Sequence, residues 1–137
     1  MSFLLDTNLI SELRKGLKCD RSVWNWYQSV PVEELFLSVL TPGEIRRGIE
    51  VCRLKDVPRA LIYERWLREL EIGYKERILP VTAKIADLWG RLSVPRQLPI
   101  IDGLLAATAL CHGLTLVTRN AADFQRSGVD YLNPFVD

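Results

Sequence analysis

Cysteine is scarce and poorly placed for pairing. Cys19, Cys52 and Cys111 make an odd set of three with no C-x-x-C string, which argues against a secreted disulfide framework and against a cysteine zinc site. All three read as reduced thiols of a cytosolic protein. His112 is the only histidine. A His-rich zinc site is thereby excluded, and any Ser-His-Asp or Cys-His mechanism would rest on this one residue. It precedes Gly113 at an expected helix end, where a cation suits the dipole. Neither sign of charge prevails: 18 basic and 17 acidic side chains leave +1. A polyanion partner must therefore find a local basic patch, because the chain as a whole supplies no attraction. No G-x-x-x-x-G-K-[ST] or G-x-G-x-x-G string is present, so nucleotide cofactors are not indicated. Long apolar runs are also missing. The stretch from Leu98 to Val117 is broken by Pro99, Asp102, Gly103, His112 and Gly113, and reads as a buried helix and strand, with no membrane association. Met1 to Leu5 lacks the basic start and apolar stretch of a signal peptide. Repeats and low-complexity segments are absent, so the 137 residues read as one domain, 1–137. With 48% hydrophobic residues, it can bury a core without disulfides.

What is there alternates. Short apolar runs (Phe3–Leu5, Leu35–Ser38, Arg77–Leu79, Leu114–Thr118 and an edge pair Tyr131–Leu132) are separated by helical patterns over 8–15, 22–29, 41–52, 57–74, 82–92 and 102–111, with a short helical turn at 120–124. The expectation is an α/β fold, with a central, mostly parallel sheet of about five strands flanked by about seven helices. Phe3–Leu5 should be buried on both faces. Thr41, Pro42 and Glu44 have the spacing of an N-cap, N1 and N3, a capping box. Val57, Leu61, Ile62, Trp66 and Leu70 form the apolar stripe of a long helix.

Four acids stand where a strand ends or a helix begins: Asp6, Glu44, Asp102 and Asp123. In a parallel sheet with right-handed crossovers, strand C-termini and the following helix N-termini share one edge, where ligands bind near the switch in strand order. Carboxylates gathered there repel, by roughly 4 kcal/mol for a pair about 4 Å apart at an effective dielectric near 20. They must take up protons or hold a cation. With oxygen ligands only, that cation is Mg²⁺, with Mn²⁺ as the alternative, and the chemistry that follows is phosphodiester hydrolysis. Each acid also has a plainer reading. Glu44 completes the capping box, Asp102 caps an apolar helix, and Asn120 with Asp123 resembles a cap pair. Asp6 resists such a reading, since a carboxylate directly after a buried strand is costly unless paired.

Four ordered stretches then resemble one family: Phe3 to Glu12 around Asp6-Thr7-Asn8, Ser38 to Gly48 around Glu44, Ile101 to Ala109 opening on Asp102, and Leu116 to Phe124 with Thr118-Arg119-Asn120 and Asp123. Together, with the ending Asn133-Pro134-Phe135, they are similar to the PIN-domain family and within it to the VapC and FitB-like toxins. The resemblance implies a Mg²⁺-dependent endoribonuclease with Asp6, Glu44 and Asp102 in the acidic pocket, and Asp6 and Asp102 as direct ligands. Glu44 is then ligand or water-orienting base. The family's fourth acid lies at the position Asn120 holds here, which makes Asp123 the substitute candidate. It further implies an RNA substrate, structured RNA such as tRNA included, a homodimer, and an antitoxin protein seated in the groove of the 49–74 helical hairpin. Thr7, Asn8 and Thr118 are candidates to fix the acids by hydrogen bonding, against a plain role in capping and turns. Arg46 and Arg119 are candidates for RNA phosphates, against solvated helix faces or ion pairs.

Other readings place acids at strand ends too. A receiver-like signalling domain would need a paired acid before the first loop and a lysine after a late strand, and Arg119 is the only cation near that position. A haloacid-dehalogenase-like phosphatase would need D-x-D, whereas Asp6 is followed by Thr7-Asn8. A binding or regulatory protein of the PIN fold with weak or lost catalysis is the remaining alternative, kept open by Asn120.

Overall fold

The computed structural model describes residues 1–94, 98–125 and 127–135. Eleven regular elements follow one another: β1 (Phe3–Leu5), α1 (Thr7–Leu13), α2 (Arg21–Ser29), β2 (Leu35–Ser38), α3 (Leu40–Arg53), α4 (Val57–Gly73), β3 (Ile78–Leu79), α5 (Ala83–Ser93), α6 (Ile100–His112), β4 (Thr115–Val117) and β5 (Tyr131–Leu132). The strands make one sheet in the order β3-β2-β1-β4-β5, and every pairing is parallel. Among the described residues there are six α-helices rather than about seven. The segment expected as a seventh, 120–124, is a 3₁₀ turn over Ala121–Phe124, too short to close α-helical hydrogen bonds.

β1 lies at the centre, and all three of its residues are buried. Alternation along a strand sends Phe3 and Leu5 to one face and Leu4 to the other. The first face packs with Leu35, Leu37 and Val117 beneath α1 to α4, and the second with Leu116 beneath Leu105, Ala106 and Ala109 of α6. The chain runs from β1 outward to β2 and β3, then returns to the other side of β1 for β4 and β5. The switch in strand order therefore falls between β1 and β4, at the C-terminal ends of both.

Two expected helix starts move, and one expected apolar face turns outward. α3 starts at Leu40 with Val39 before it and no side-chain cap; Thr41 is fully buried inside the first turn, so it cannot serve as the N-cap of a box. α6 begins at Ile100, two residues before Asp102, and ends as expected on Gly113 at φ +65, the left-handed stop that glycine allows. α4 buries Ala60 and Leu67, while Val57, Leu61 and Ile62 of the expected stripe are exposed. The helix has two apolar faces, only one of which serves the core. Sequence reading also passed over Arg77. Its guanidinium donates to the carbonyls of Val32, Leu35 and Gly73 and lies 4.6 Å from the Tyr74 ring centroid, stapling the start of β2 to the end of α4. No helix among the described residues is long and apolar enough to cross a membrane.

Candidate acidic site

Asp6 sits one residue beyond β1 and precedes α1, with its backbone N–H still in the sheet, donating to Val117 O at 3.0 Å. Its carbonyl accepts from Leu9 and Ile10, but its side chain makes no cap bond. The carboxylate is 5% exposed. Its Oδ2 accepts from the buried Thr118 hydroxyl at 2.7 Å. The direction of that bond is set locally, because the Thr118 oxygen accepts from the Asn120 N–H at 3.1 Å and so sends its own proton to Asp6. Oδ1 receives no protein donor among the described residues. Thr118 was expected to fix the acid of its own stretch, Leu116 to Phe124; its hydroxyl holds Asp6 instead.

Thr7 does something else. It was expected to hold Asp6, or to cap; its hydroxyl instead donates to Glu44 Oε1 at 2.5 Å and lies 3.2 Å from the Thr41 hydroxyl. The capping-box reading of Glu44 is overturned by the same contact. Thr41 and Glu44 have box spacing, but the helix starts too early for a box, and the carboxylate turns across to α1. Asn8 is exposed and makes no hydrogen bond to Asp6. Asn120 contributes its backbone N–H only, and no side-chain cap forms with Asp123, which is exposed on the turn after β4.

Asp102 lies in the first turn of α6, not at its cap. A helix N-terminus favours a carboxylate anion, yet here the proton is held more tightly. Burial comes first among the causes, followed by repulsion from Asp6, Glu44 and Asp123 in that order, and together they push the carboxyl up from its ordinary value to about 6. Desolvation and like charge outweigh the dipole. All four acids therefore share one electrostatic field at the switch between β1 and β4.

That shift carries a sign. Between roughly pH 4 and pH 6 the folded chain binds more protons than the unfolded chain, so without divalent ions stability falls as pH rises through this window. The loss, on the order of 1 kcal/mol after allowing for the screening of a half-exposed group, is complete above pH 6. Asp102→Asn should flatten this slope and leave the metal-free protein the more stable of the two at pH 7.5. Thermal melts in EDTA at pH 5 and pH 7.5 check it; parallel pH slopes in the two proteins would refute it.

Among the described residues, no three acidic, histidine or cysteine side chains close around one point as a ready-made metal cage. The donor set nonetheless suits one kind of ion. It offers oxygens only, on carboxylates whose combined negative charge raises the proton affinity of Asp102. Mg²⁺ keeps several of its waters and binds through one or two carboxylates, so it requires no closed cage.

The two candidate cations differ. Arg46 is not free for phosphate: it pairs with Glu50 at 3.2 Å and with Glu64 of α4, in a network completed by Arg53 on the same two acids. Its expected role is replaced by one that ties α3 to α4. Arg119 has no ion pair among the described residues, and its guanidinium carbon stands 4.0 Å from the Phe135 ring centroid. A separate cleft of about 270 Å³ lies between α1, α2 and α4, lined by Ile10, Leu13, Trp24, Tyr27, Trp66 and Leu70 among others.

The family model described as PIN domain matches residues 3–128. The VapC ribonuclease Y4jK of Sinorhizobium fredii is 33% identical, over 96% of this chain and 96% of its own length. The crystal structure of FitAcB from Neisseria gonorrhoeae superposes with a TM-score of 0.86 at 29% identity, covering 98% of this chain and 99% of that one. A toxin–antitoxin complex from Klebsiella pneumoniae follows with a TM-score of 0.75 at 25% identity, covering 97% and 98%.

Proposed function

Because this chain belongs to the PIN-domain family, we propose that it is a divalent-metal-dependent endoribonuclease acting as the toxin of a toxin–antitoxin pair. The observation that carries the reading is the raised proton affinity of Asp102 under the combined pressure of burial, Asp6, Glu44 and Asp123. Such a field is costly to keep at the switch point of a parallel sheet unless a cation uses it. The ribonuclease among its relatives and the toxin–antitoxin complex with the same fold support the assignment.

Asp6 and Asp102 would hold the ion, with Glu44 beside them and Asp123 assisting from the exposed turn. Bound Mg²⁺ or Mn²⁺ would supply the charge that makes the cluster tolerable and the Lewis acidity that activates a water for attack on phosphorus. The chain's own residues do the rest. Thr118 fixes the Asp6 carboxylate in one orientation. Thr7 fixes Glu44, which orients the attacking water or accepts its proton. Arg119 holds an RNA phosphate. The exposed apolar side chains Val51, Leu54, Val57, Leu61 and Ile62 lie on the 49–74 hairpin and support it as the seat of an antitoxin helix, while the same kind of surface suits a homodimer.

The test is direct. The purified chain should cleave single-stranded or structured RNA, tRNA included, in Mg²⁺, stop in EDTA and resume when Mg²⁺ is returned. RNA cleaved equally well in EDTA would reject the metal-dependent reading. RNA bound in Mg²⁺ but never cut would favour the binding protein of the same fold.

A further inference from the structure

We propose that Phe135 is a positioning residue for substrate: its ring holds the guanidinium of Arg119, the residue next to the Thr118 that fixes Asp6, so that RNA phosphate meets a cation already in place. This rests on the ribonuclease reading above.

The backbone at Arg119 is tied to the site on both sides. Thr118 carries the hydroxyl that holds Asp6 and donates its N–H to Leu132 O at 3.0 Å, while the Asn120 N–H returns to the Thr118 hydroxyl. Position 119 therefore cannot drift from Asp6. The side chain is another matter. Arginine carries several rotatable bonds, and an exposed one normally spends its time spread over many rotamers. Here it lies 4.0 Å over a ring that is itself half-buried against the core formed under α1 to α4. Asn133 joins the two segments. Its Nδ2 donates to the Arg119 carbonyl at 3.3 Å, and its Oδ1 accepts the Phe135 N–H at 3.0 Å.

The choice of an aromatic partner matters chemically. Arg46, Arg53 and Arg91 are held by carboxylates, which consume N–H donors and cancel charge. Glu12 is the acid that feels Arg119, but its oxygens are already taken by the Asp20 N–H and by Lys15. An aromatic face restrains the guanidinium through its quadrupole and leaves the N–H fork free. Beside a cluster of carboxylates that repels a polyanion, a cation fixed in this way offsets the repulsion where the phosphate must enter.

The experiment measures KM and kcat for cleavage of a fluorescent oligoribonucleotide in Mg²⁺. Phe135→Leu keeps an apolar side chain but removes the ring face; it should raise KM about fivefold with a smaller change in kcat. Phe135→Tyr, which restores the face, should keep the KM of the parent chain. Arg119→Ala should raise KM at least as much and weaken its salt dependence, and the Arg119→Ala/Phe135→Leu double variant should be no worse than Arg119→Ala alone. An unchanged KM in Phe135→Leu, additive effects in the double variant, or a fall in kcat at constant KM would each overturn the proposal. If the parent chain cleaves RNA while Phe135→Leu behaves like it, the positioning role alone falls; if the parent chain cleaves nothing in Mg²⁺, the ribonuclease reading falls and takes this one with it.

Discussion

Asp6→Asn is expected to lower the rate of RNA cleavage at saturating Mg²⁺ by about a thousandfold, and Asp102→Asn by a similar factor, with both proteins folded. The two positions fail for different reasons. At Asp6 the carboxylate is almost fully buried and one of its oxygens is held by Thr118. An asparagine can keep that one contact through its carbonyl oxygen, but it then turns an amide N–H₂ toward the place where an anionic oxygen stood. The shape is preserved and the charge is lost. At Asp102 burial and the neighbouring acids raise the proton affinity, and an amide there would withdraw a negative charge that the proposed ion needs. Asp123→Asn should lose least, since that carboxylate stands exposed on the turn after β4. Neither principal variant should melt below the parent in EDTA, since each relieves repulsion within the cluster. Initial rates on a labelled oligoribonucleotide, together with thermal melts, decide the matter. Either variant keeping more than about a tenth of the parent rate, against the hundredfold or greater loss expected of such groups, would remove that residue from the site.

Gly103→Ala should destabilise the fold by about 1–2 kcal/mol, although alanine is the better helix former by roughly 1 kcal/mol. A β-carbon at Gly103 would stand 2.8 Å from Trp89 Cδ1 and 2.9 Å from Trp89 Nε1. The contact is with a rigid ring, not the tip of a flexible chain. Forcing the ring aside costs about 1–3 kcal/mol by analogy with other overpacked interiors, which outweighs the propensity gain. The Trp89 N–H is buried without a hydrogen-bond partner among the described residues, and its indole lies where α5 packs on α6 at Gly103. The effect reaches the chemistry because Gly103 follows Asp102: displacing α6 moves the carboxylate. A lowered melting temperature accompanied by a lowered cleavage rate is the expected outcome. Trp89→Leu, destabilising by itself, should make the added methyl nearly harmless, so that the double variant is more stable than the sum of the two changes. Strict additivity, or a Gly103→Ala protein as stable as the parent, would show that the close approach is not limiting.

How far the chain could be read in advance depended on the range of the interaction. The apolar run Phe3–Leu5 and the glycine stop at 113 were legible because burial on both faces and a left-handed backbone each leave a local mark. The Thr118 contact with Asp6 was not, since it depends on β4 pairing directly with β1, and strand order leaves no local mark. Thr41 and Glu44 were misread because the same four-residue spacing serves a helix cap and a contact to another helix; only the position of Thr7, remote in sequence, chooses between them. Between phosphate and an ion pair the sequence left Arg46 open, because its partner Glu64 lies on the next helix and shares no pattern with it. The outer apolar face of α4 was folded into the core stripe for want of any local sign of which face turns inward.

What the amino-acid order settled by itself was the alternation of elements and the parallel character of the sheet, because hydrophobic period, strand length and crossover handedness are rules of short range or of chirality. What only the tertiary structure decided was the pairing of individual polar groups: Thr7 with Glu44 rather than Asp6, Arg46 with Glu64, Arg119 over Phe135, and Asp102 close enough to other acids for its proton affinity to rise. A hydrogen bond or ion pair is made or lost within an ångström, and that distance is set by how helices from distant parts of the chain pack.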